Sequence, residues 1–293
     1  MQASGFSLLP SPDQTDVSIS VEDLSLPNNR VCMLIRGALS PKECKEIISQ
    51  AESQGFNPSN ATYPSSYRNN YRLVVDDEEL STVLYKRVKH LIPNVIQWQR
   101  QKSNLSKRNI SASDLDDTEL ASWNLCGLNE RFRFCKYFDG QSFMPHQDGE
   151  YWRDHKVQSK LTMMIYLNSH DEFRGGETNF LTERYGPDCS VLKAVEPECG
   201  MMIVFEHDLW HEGAAVFDGT KYIMRTDVMY EKESNALDTT SMQSSQALET
   251  YAGHSGYIWS VIELQDGSLA SASRDKTVKV WNRQTKECVQ TFH

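Results

Sequence analysis

The sequence predicts an α+β protein in which amphipathic helices precede an antiparallel β-barrel or jelly roll, with a smaller β architecture near the C-terminal end. Three observations carry this. Two segments before Pro93 repeat apolar residues at helical spacing, whereas from Phe132 onward the period is two. The stretch Glu231 to Glu249 then loses all aromatic content, as an interdomain linker does, before a new pattern starts at about Thr250.

Residues 1–29 are rich in Ser, Pro, Asp and Asn and read as a disordered, mobile leader. Folded chain is expected to begin with a strand from Val31 to Ile35. Ser40, Pro41 and Glu43 then supply an N-cap, a proline at the first helical position and a capping-box carboxylate. Cys44, Ile47, Ile48 and Ala51 follow at helical spacing, so the helix runs from Ser40 to about Ser53. A loop follows around Asn57 to Tyr67. Asp76 and Asp77 open a second helix through Leu80, Val83, Leu84, Val88, Leu91 and Ile92, ending before Pro93. The polar residues 99–120 read as a loop or insertion. Four runs then read as strands: Phe132 to Phe138, Lys160 to Leu167, Gly200 to Phe205 and Lys221 to Tyr230. Turn signals at Asp139-Gly140, Gly175-Gly176, Gly186-Pro187 and Asp218-Gly219 separate them.

Composition bounds the partners. The 293 residues suit about two domains. The 39% hydrophobic and 24% charged content exclude a wholly disordered or collagenous chain. The longest apolar runs, Leu161 to Leu167 and Met201 to Phe205, are too short to span a bilayer, so no membrane partner is expected. A net charge of -10 repels a phosphate backbone, so no nucleic acid is expected either. The N-terminus lacks a basic segment followed by an apolar core, and the seven cysteines contain no C-x-x-C spacing. Free thiols in the cytoplasm or nucleus are the expectation.

His146-Gln147-Asp148 places two metal-ligand types on one side of extended backbone. Alone, this pattern is more often an exposed histidine beside a loop aspartate. His211, directly after an apolar strand, changes that reading, and Lys221 follows it. Two histidines and one carboxylate leave open positions on Fe(II), two for a chelating 2-oxo acid and one for O2. The remote carboxylate of 2-oxoglutarate needs a buried cation, for which Lys221 is the natural choice, and Tyr166 can add a hydroxyl. Arg225 shares a strand face with Lys221, so either cation can reach the cofactor; spacing from His211 favours Lys221, leaving Arg225 as a solvent- or substrate-facing charge. His207 and His211 lie at i and i+4, but no Glu follows His207 and the preceding residues read as strand, so His207 is expected in a loop. Glu150, Tyr151, Trp152 and Arg153, like the cluster Arg68 to Arg72, read equally as substrate mouth or mixed surface.

Cys135-Lys136-Tyr137 with Gly140, Pro145-His146-Gln147-Asp148, Ile165-Tyr166-Leu167-Asn168, Gly175-Gly176-Glu177-Thr178-Asn179-Phe180, His211-Glu212-Gly213 and Gly219-Thr220-Lys221-Tyr222 resemble the catalytic domain of prolyl 4-hydroxylases and related Fe(II)/2-oxoglutarate oxygenases. The resemblance covers roughly Val31 to Tyr230. It implies a double-stranded β-helix (jelly roll), His146, Asp148 and His211 as catalytic metal ligands, Lys221 and Tyr166 on the distal carboxylate, and Tyr137 lining the cofactor pocket. It implies Fe(II), 2-oxoglutarate and O2, with ascorbate as a further candidate, and a protein or peptide substrate.

Gly253-His254, Ile258 to Leu264, Asp266-Gly267, Leu269 to Ser273, Arg274-Asp275, Val278 to Val280 and Trp281-Asn282 closely resemble one WD40 repeat, with Asn282 where Asp is usual. One four-stranded repeat cannot close a propeller, so its apolar faces need a partner. The expected organisation is a leader at 1–29, an oxygenase domain at 30–231, a linker at 232–249 and a WD40 repeat at 250–293 with possible protein partners. The expected reaction is hydroxylation of a C–H bond, such as that of a prolyl residue, with formation of succinate and CO2. A small-molecule oxygenase, a demethylase, or a non-enzymatic WD40 scaffold with a degenerate oxygenase domain are the alternatives.

Overall fold

The computed structural model describes residues 6, 19–59, 64–98, 120–154, 156–233, 250–254, 258–273 and 275–292, with Trp259 described by its backbone. The chain divides into two units, Met1–Glu233 and Ser234–His293. The first is mostly sheet with few helices. Its elements begin with β1 (Ser20–Asp23), β2 (Cys32–Arg36), α1 (Pro41–Gln54), β3 (Asn57–Pro58), β4 (Tyr71–Asp76), α2 (Glu78–Val88), β5 (Val95–Trp98), β6 (Ala121–Leu128) and β7 (Arg131–Tyr137). They continue with β8 (Phe143–His146), β9 (Val157–Tyr166), β10 (Arg174–Gly175), β11 (Thr178–Leu181), β12 (Val191–Val195), β13 (Met202–Glu206), β14 (His211–Gly213), β15 (Val216–Phe217) and β16 (Lys221–Lys232).

Ser40 starts α1 as its sequence signals require. The Ser40 hydroxyl accepts from the Glu43 N–H, Glu43 accepts from the Ser40 N–H at 2.8 Å, and Gly55 at φ +85° ends the helix. Asp77 caps α2, accepting from the Leu80 N–H at 2.8 Å. This helix stops at Val88, earlier than the sequence suggests: Leu91 donates instead to the Val88 carbonyl in a turn ahead of Pro93.

A ten-stranded sheet runs β1-β2-β13-β9-β16-β7-β4-β3, with β6 also pairing β16 and β5 pairing β6. A four-stranded sheet runs β12-β11-β14-β8, and β10 pairs β15. Side-chain alternation gives the large sheet two apolar faces. Phe132, Phe134, Met163, Ile165, Val204 and Met224 pack with Cys44, Ile47, Leu80 and Leu84 of the helices. From the other face, Cys135, Tyr137, Met164, Tyr166, Ile203 and Ile223 join a second cluster with Phe180, Val195 and Val216 of the smaller sheets. The pocket at issue lies in this second layer.

The leader is partly structured, contrary to the expectation of a mobile segment. Ser20–Asp23 adds β1 to the edge of β2, and Phe6, 2% exposed, stacks on Phe134 with ring centroids 4.6 Å apart. The Phe6 N–H donates to Asp77 Oδ2 at 2.6 Å. All four residues of β1 are exposed, so no apolar alternation announces it. The polar Arg68–Arg72 cluster likewise leads into strand β4, whose pairing to β7 is a long-range property. The rest of the leader (1–5 and 7–18), residues 99–119 of the expected insertion, linker residues 234–249 and Arg274 lie outside the described residues.

In the second unit, β17 (Ile258–Glu263), β18 (Leu269–Ser273), β19 (Val278–Trp281) and β20 (Cys288–Phe292) pair in sequence order as an antiparallel sheet. His254 bridges Asp275 and Ser271, each at 2.8 Å, and Trp281 Nε1 donates to Ser271 Oγ at 2.7 Å. Ile258, Val261, Ile262, Val289 and Phe292 are exposed.

Candidate metal centre and cofactor pocket

His146 ends β8 and His211 begins β14, and the register of these neighbouring strands sets the two residues directly opposite each other. Their rings lie 4.2 Å apart. Beyond His146, the Asp148 N–H donates to the His207 carbonyl at 2.7 Å, which turns the Asp148 side chain toward the large sheet. Its carboxylate stands 3.7 Å from the Nε2 of each histidine, and the three ligand atoms lie within 4.8 Å of one another.

Tautomers follow from the partners. His146 Nδ1 is 2.8 Å from the Met144 carbonyl and His211 Nδ1 is 2.9 Å from the Leu209 carbonyl. A carbonyl can only accept, so each Nδ1 carries the proton and each Nε2 presents a lone pair. Burial holds both imidazoles neutral: the His146 pKa falls to about 3, and that of His211 falls too. Burial would raise the Asp148 carboxyl, but the Arg225 guanidinium beside it overrides this and keeps the group ionised far below the usual carboxylate range. Two neutral imidazoles and one carboxylate suit a borderline divalent ion such as Fe(II) and leave further coordination positions open.

Asp148 is held from both sides. Arg225 Nη1 lies 2.7 Å from Oδ1, and the Thr162 hydroxyl donates to Oδ2 at 2.6 Å. Because that hydroxyl spends its only proton on Asp148, it must accept from His207 Nδ1, 2.9 Å away. His207 Nε2 in turn accepts from Ser159 Oγ at 2.8 Å. His207 does occupy a turn, as expected, yet it is only 2% exposed and kept neutral by burial. Behind Arg225, buried Asp227 accepts from Arg133 at 3.1 Å and Asn129 at 3.0 Å, and Arg225 Nη2 approaches it at 3.5 Å.

Lys221 sits deeper on the same face of β16, opposite Tyr137 of β7. It is 3% exposed, donates to the Gly176 carbonyl, and lies 5.6 and 5.3 Å from the ring centroids of Tyr137 and Tyr166. Among the described residues no carboxylate comes within ion-pair distance of it, and burial lowers its pKa to about 8. A buried ammonium without an anion fits a ligand carboxylate. Gly176, at φ +71°, makes room: a Cβ there would meet Lys221 Cδ at 3.0 Å. The Tyr166 hydroxyl donates to Thr178 at 2.6 Å, so it faces a ligand as an acceptor unless that bond is exchanged.

The residues singled out from sequence therefore fall into two groups. His146, Asp148 and His211 converge at one point; Lys221, Tyr137 and Tyr166 gather in the adjoining pocket; Arg225 stands with the first group, on Asp148. Sequence reading did not single out Thr162, Thr178 or the role of His207. Arg68 also gains a defined place: its guanidinium lies 4.3 Å from the Phe143 ring, which stacks on His146 at 3.6 Å. Thr162 had a usable signal, as a polar residue inside the apolar run Leu161 to Leu167.

Residues 132–226 match the family model of the 2OG-Fe(II) oxygenase superfamily, and residues 245–282 match the WD domain, G-beta repeat. The chain thus carries a 2OG-Fe(II) oxygenase domain followed by a WD40 repeat, and this family implies Fe(II), 2-oxoglutarate and O2. Eukaryotic translation initiation factor 3 subunit I of Neosartorya fischeri is 42% identical over 50 residues, 17% of this chain and 15% of that protein. The same subunit of Meyerozyma guilliermondii is 32% identical over 77 residues, 23% of this chain and 22% of that protein. The chain thus spans less than a quarter of these relatives. Similar solved structures include a viral collagen prolyl hydroxylase from Paramecium bursaria Chlorella virus-1, with 21% identity, 68% of this chain, 96% of that chain and a TM-score of 0.40. A Pseudomonas putida prolyl-4-hydroxylase has 14% identity, 70% and 95% coverage and a TM-score of 0.43.

Proposed function

We propose that residues 30–231 form a double-stranded β-helix that hydroxylates a C–H bond of a protein side chain, such as proline, as a 2-oxoglutarate-dependent dioxygenase. The observation that carries this reading is the pairing of two features between the same sheets. One is a group of two neutral histidines and a carboxylate; the other is a buried lysine with no carboxylate partner among the described residues.

Fe(II), 2-oxoglutarate and O2 would together supply the oxidant: one oxygen atom enters the substrate C–H bond and the other enters succinate, with release of CO2. In this reading His146, Asp148 and His211 hold the metal through His146 Nε2, His211 Nε2 and a carboxylate oxygen. Lys221 offsets the distal carboxylate of 2-oxoglutarate, with Tyr166 and Tyr137 forming the walls. Arg225 and Thr162 fix the Asp148 carboxylate, so no reorganisation of that ligand is needed during turnover. Burial of both histidines limits water at the site. Ascorbate is proposed as an accessory reductant, the WD40 repeat as a protein-binding element, and the cytoplasm or nucleus as the compartment.

The test is incubation of the purified chain with Fe(II), 2-oxoglutarate and candidate proteins. Succinate should form, with a mass increase of about 16 Da on a target, one oxygen atom. Absence of succinate in both the presence and absence of candidates would refute the reading.

A further inference from the structure

Among the described residues, the smaller sheet leaves one part of the inner face of the large sheet uncovered. Near Lys221 the inward residues Tyr137, Cys135 and Ile223 are buried. One row further along, register sets Val74 of β4, Arg133 of β7 and Arg225 of β16 side by side. Here Val74 is 47% exposed, and the Arg133 and Arg225 side chains are 20% and 19% exposed. This row begins at Asp148 and crosses three strands, about 10 Å at the usual strand spacing. The next row ends in Arg131, paired to Asp76 at 2.6 Å. Glu150 and Tyr151 belong to the loop that follows the metal-ligand motif.

The carboxylates on this shelf leave guanidinium N–H groups over. Arg225 holds Asp148 and approaches the 1% exposed Asp227, which among the described residues is also the one carboxylate that Arg133 pairs with. Arg133 engages only through Nη1, leaving Nε and Nη2 without partners among the described residues. Arg225 Nε has no hydrogen-bond partner among the described residues. Open guanidinium donors on a partly exposed row beside the reacting centre, in a chain of net charge -10, are not a by-product of composition. Guanidinium N–H groups in a fixed fork match a carboxylate.

We propose that the Val74–Arg133–Arg225 shelf binds an acidic peptide, with an Asp or Glu side chain on Arg133 and the residue to be oxidised beside Asp148. This rests on the oxygenase reading. An extended peptide fits the length of the open row, whereas a small amino acid would fill only the part next to Arg225.

The test uses the full chain with Fe(II) and 2-oxoglutarate, and three mixtures of short peptides enriched in Glu, Gln or Lys. Basal succinate formation without peptide scores the oxygenase reading separately: its presence keeps that reading whatever the peptides do, and its absence removes the basis of the shelf as well. The Glu mixture should raise succinate formation about threefold or more above the Gln mixture, the scale of one partly exposed ion pair, and added salt should erase the difference. Arg133→Glu should transfer the preference to the Lys mixture. If that variant does not fold, Arg133→Gln should abolish the preference, and Arg133→Lys should restore part of it. Equal stimulation by Glu and Gln mixtures, no stimulation by any peptide, or a preference unchanged in the Arg133 variants overturns the proposal. So does equal stimulation by free glutamate, which would assign the shelf to a small acid.

Discussion

Arg225 Nη1 meets Asp148 Oδ1 at 2.7 Å, while Lys221, on the same face of the same strand, has no carboxylate partner among the described residues. Strand β16 thus delivers two cations with different duties. One is neutralised inside the protein and orients a metal-ligand carboxylate. The other is left for an anion from outside.

Lys221→Met should therefore weaken 2-oxoglutarate binding on the order of a hundredfold, the scale for removing one partner of a buried charge pair, while metal affinity changes little. Calorimetric titration of the Mn(II)-loaded chain checks this. Lost metal binding with retained 2-oxoglutarate affinity would reverse the assignment.

Arg225→Leu should do the opposite. Asp148 loses its orienting cation, and succinate formation should fall about 10- to 100-fold with little change in the KM for 2-oxoglutarate. A collapse of cofactor affinity instead would make Arg225 the anchor.

The affinity for 2-oxoglutarate should also depend on pH through Lys221, whose pKa falls from 10.5 to about 8 on burial. Below about 8 the ammonium is charged and binding is full. Above it the apo protein loses that charge, and Kd should rise up to tenfold per pH unit. Folding stability carries the opposite sign. Between about 8 and 10.5 the unfolded chain holds a proton that the folded chain has released, so this group adds stability as pH rises. A flat binding profile from pH 7 to 10, in wild type and Lys221→Met alike, would count against Lys221 as the anchor.

Thr162→Val keeps the side-chain shape but removes the donor to Asp148 and strands the His207 Nδ1–H. Unfolding free energy should drop by about 1–3 kcal/mol, and turnover should fall about 10-fold or more. Thr162→Ser should recover most of both. Urea titrations alongside succinate assays separate the two effects.

Phe6→Ala should destabilise the first unit by about 3–5 kcal/mol, because a fully packed ring leaves the core beside Phe134. Thermal unfolding followed by far-UV circular dichroism measures it. An unchanged midpoint would mean that the Phe6 contact does not form in solution.

Local signals determined a large part of this protein by themselves. Ser40, Pro41 and Glu43 specify the start of α1, because caps act over a few residues. The period-two runs mark β7, β9, β13 and β16, because alternation is written along each strand. The spacing of His146, Asp148 and His211 proposed a ligand group that the fold does bring within 4.8 Å.

Tertiary structure decided the partners. Alternation puts Lys221 and Arg225 on one face of β16, but only the approach of Asp148 from the other sheet separates an occupied cation from an unoccupied one. His207 looks like an ordinary turn residue in sequence, and becomes a buried link because Thr162 and Ser159 of β9 lie beneath it. The exposed strand β1 and the isolated Phe6 carry no periodic signal, and are held by an open sheet edge and a core pocket built from distant residues. The physical reason is common to all three. Periodicity along a strand reports which side faces inward, whereas a hydrogen-bond partner across the pocket depends on register and sheet packing between residues far apart in the chain.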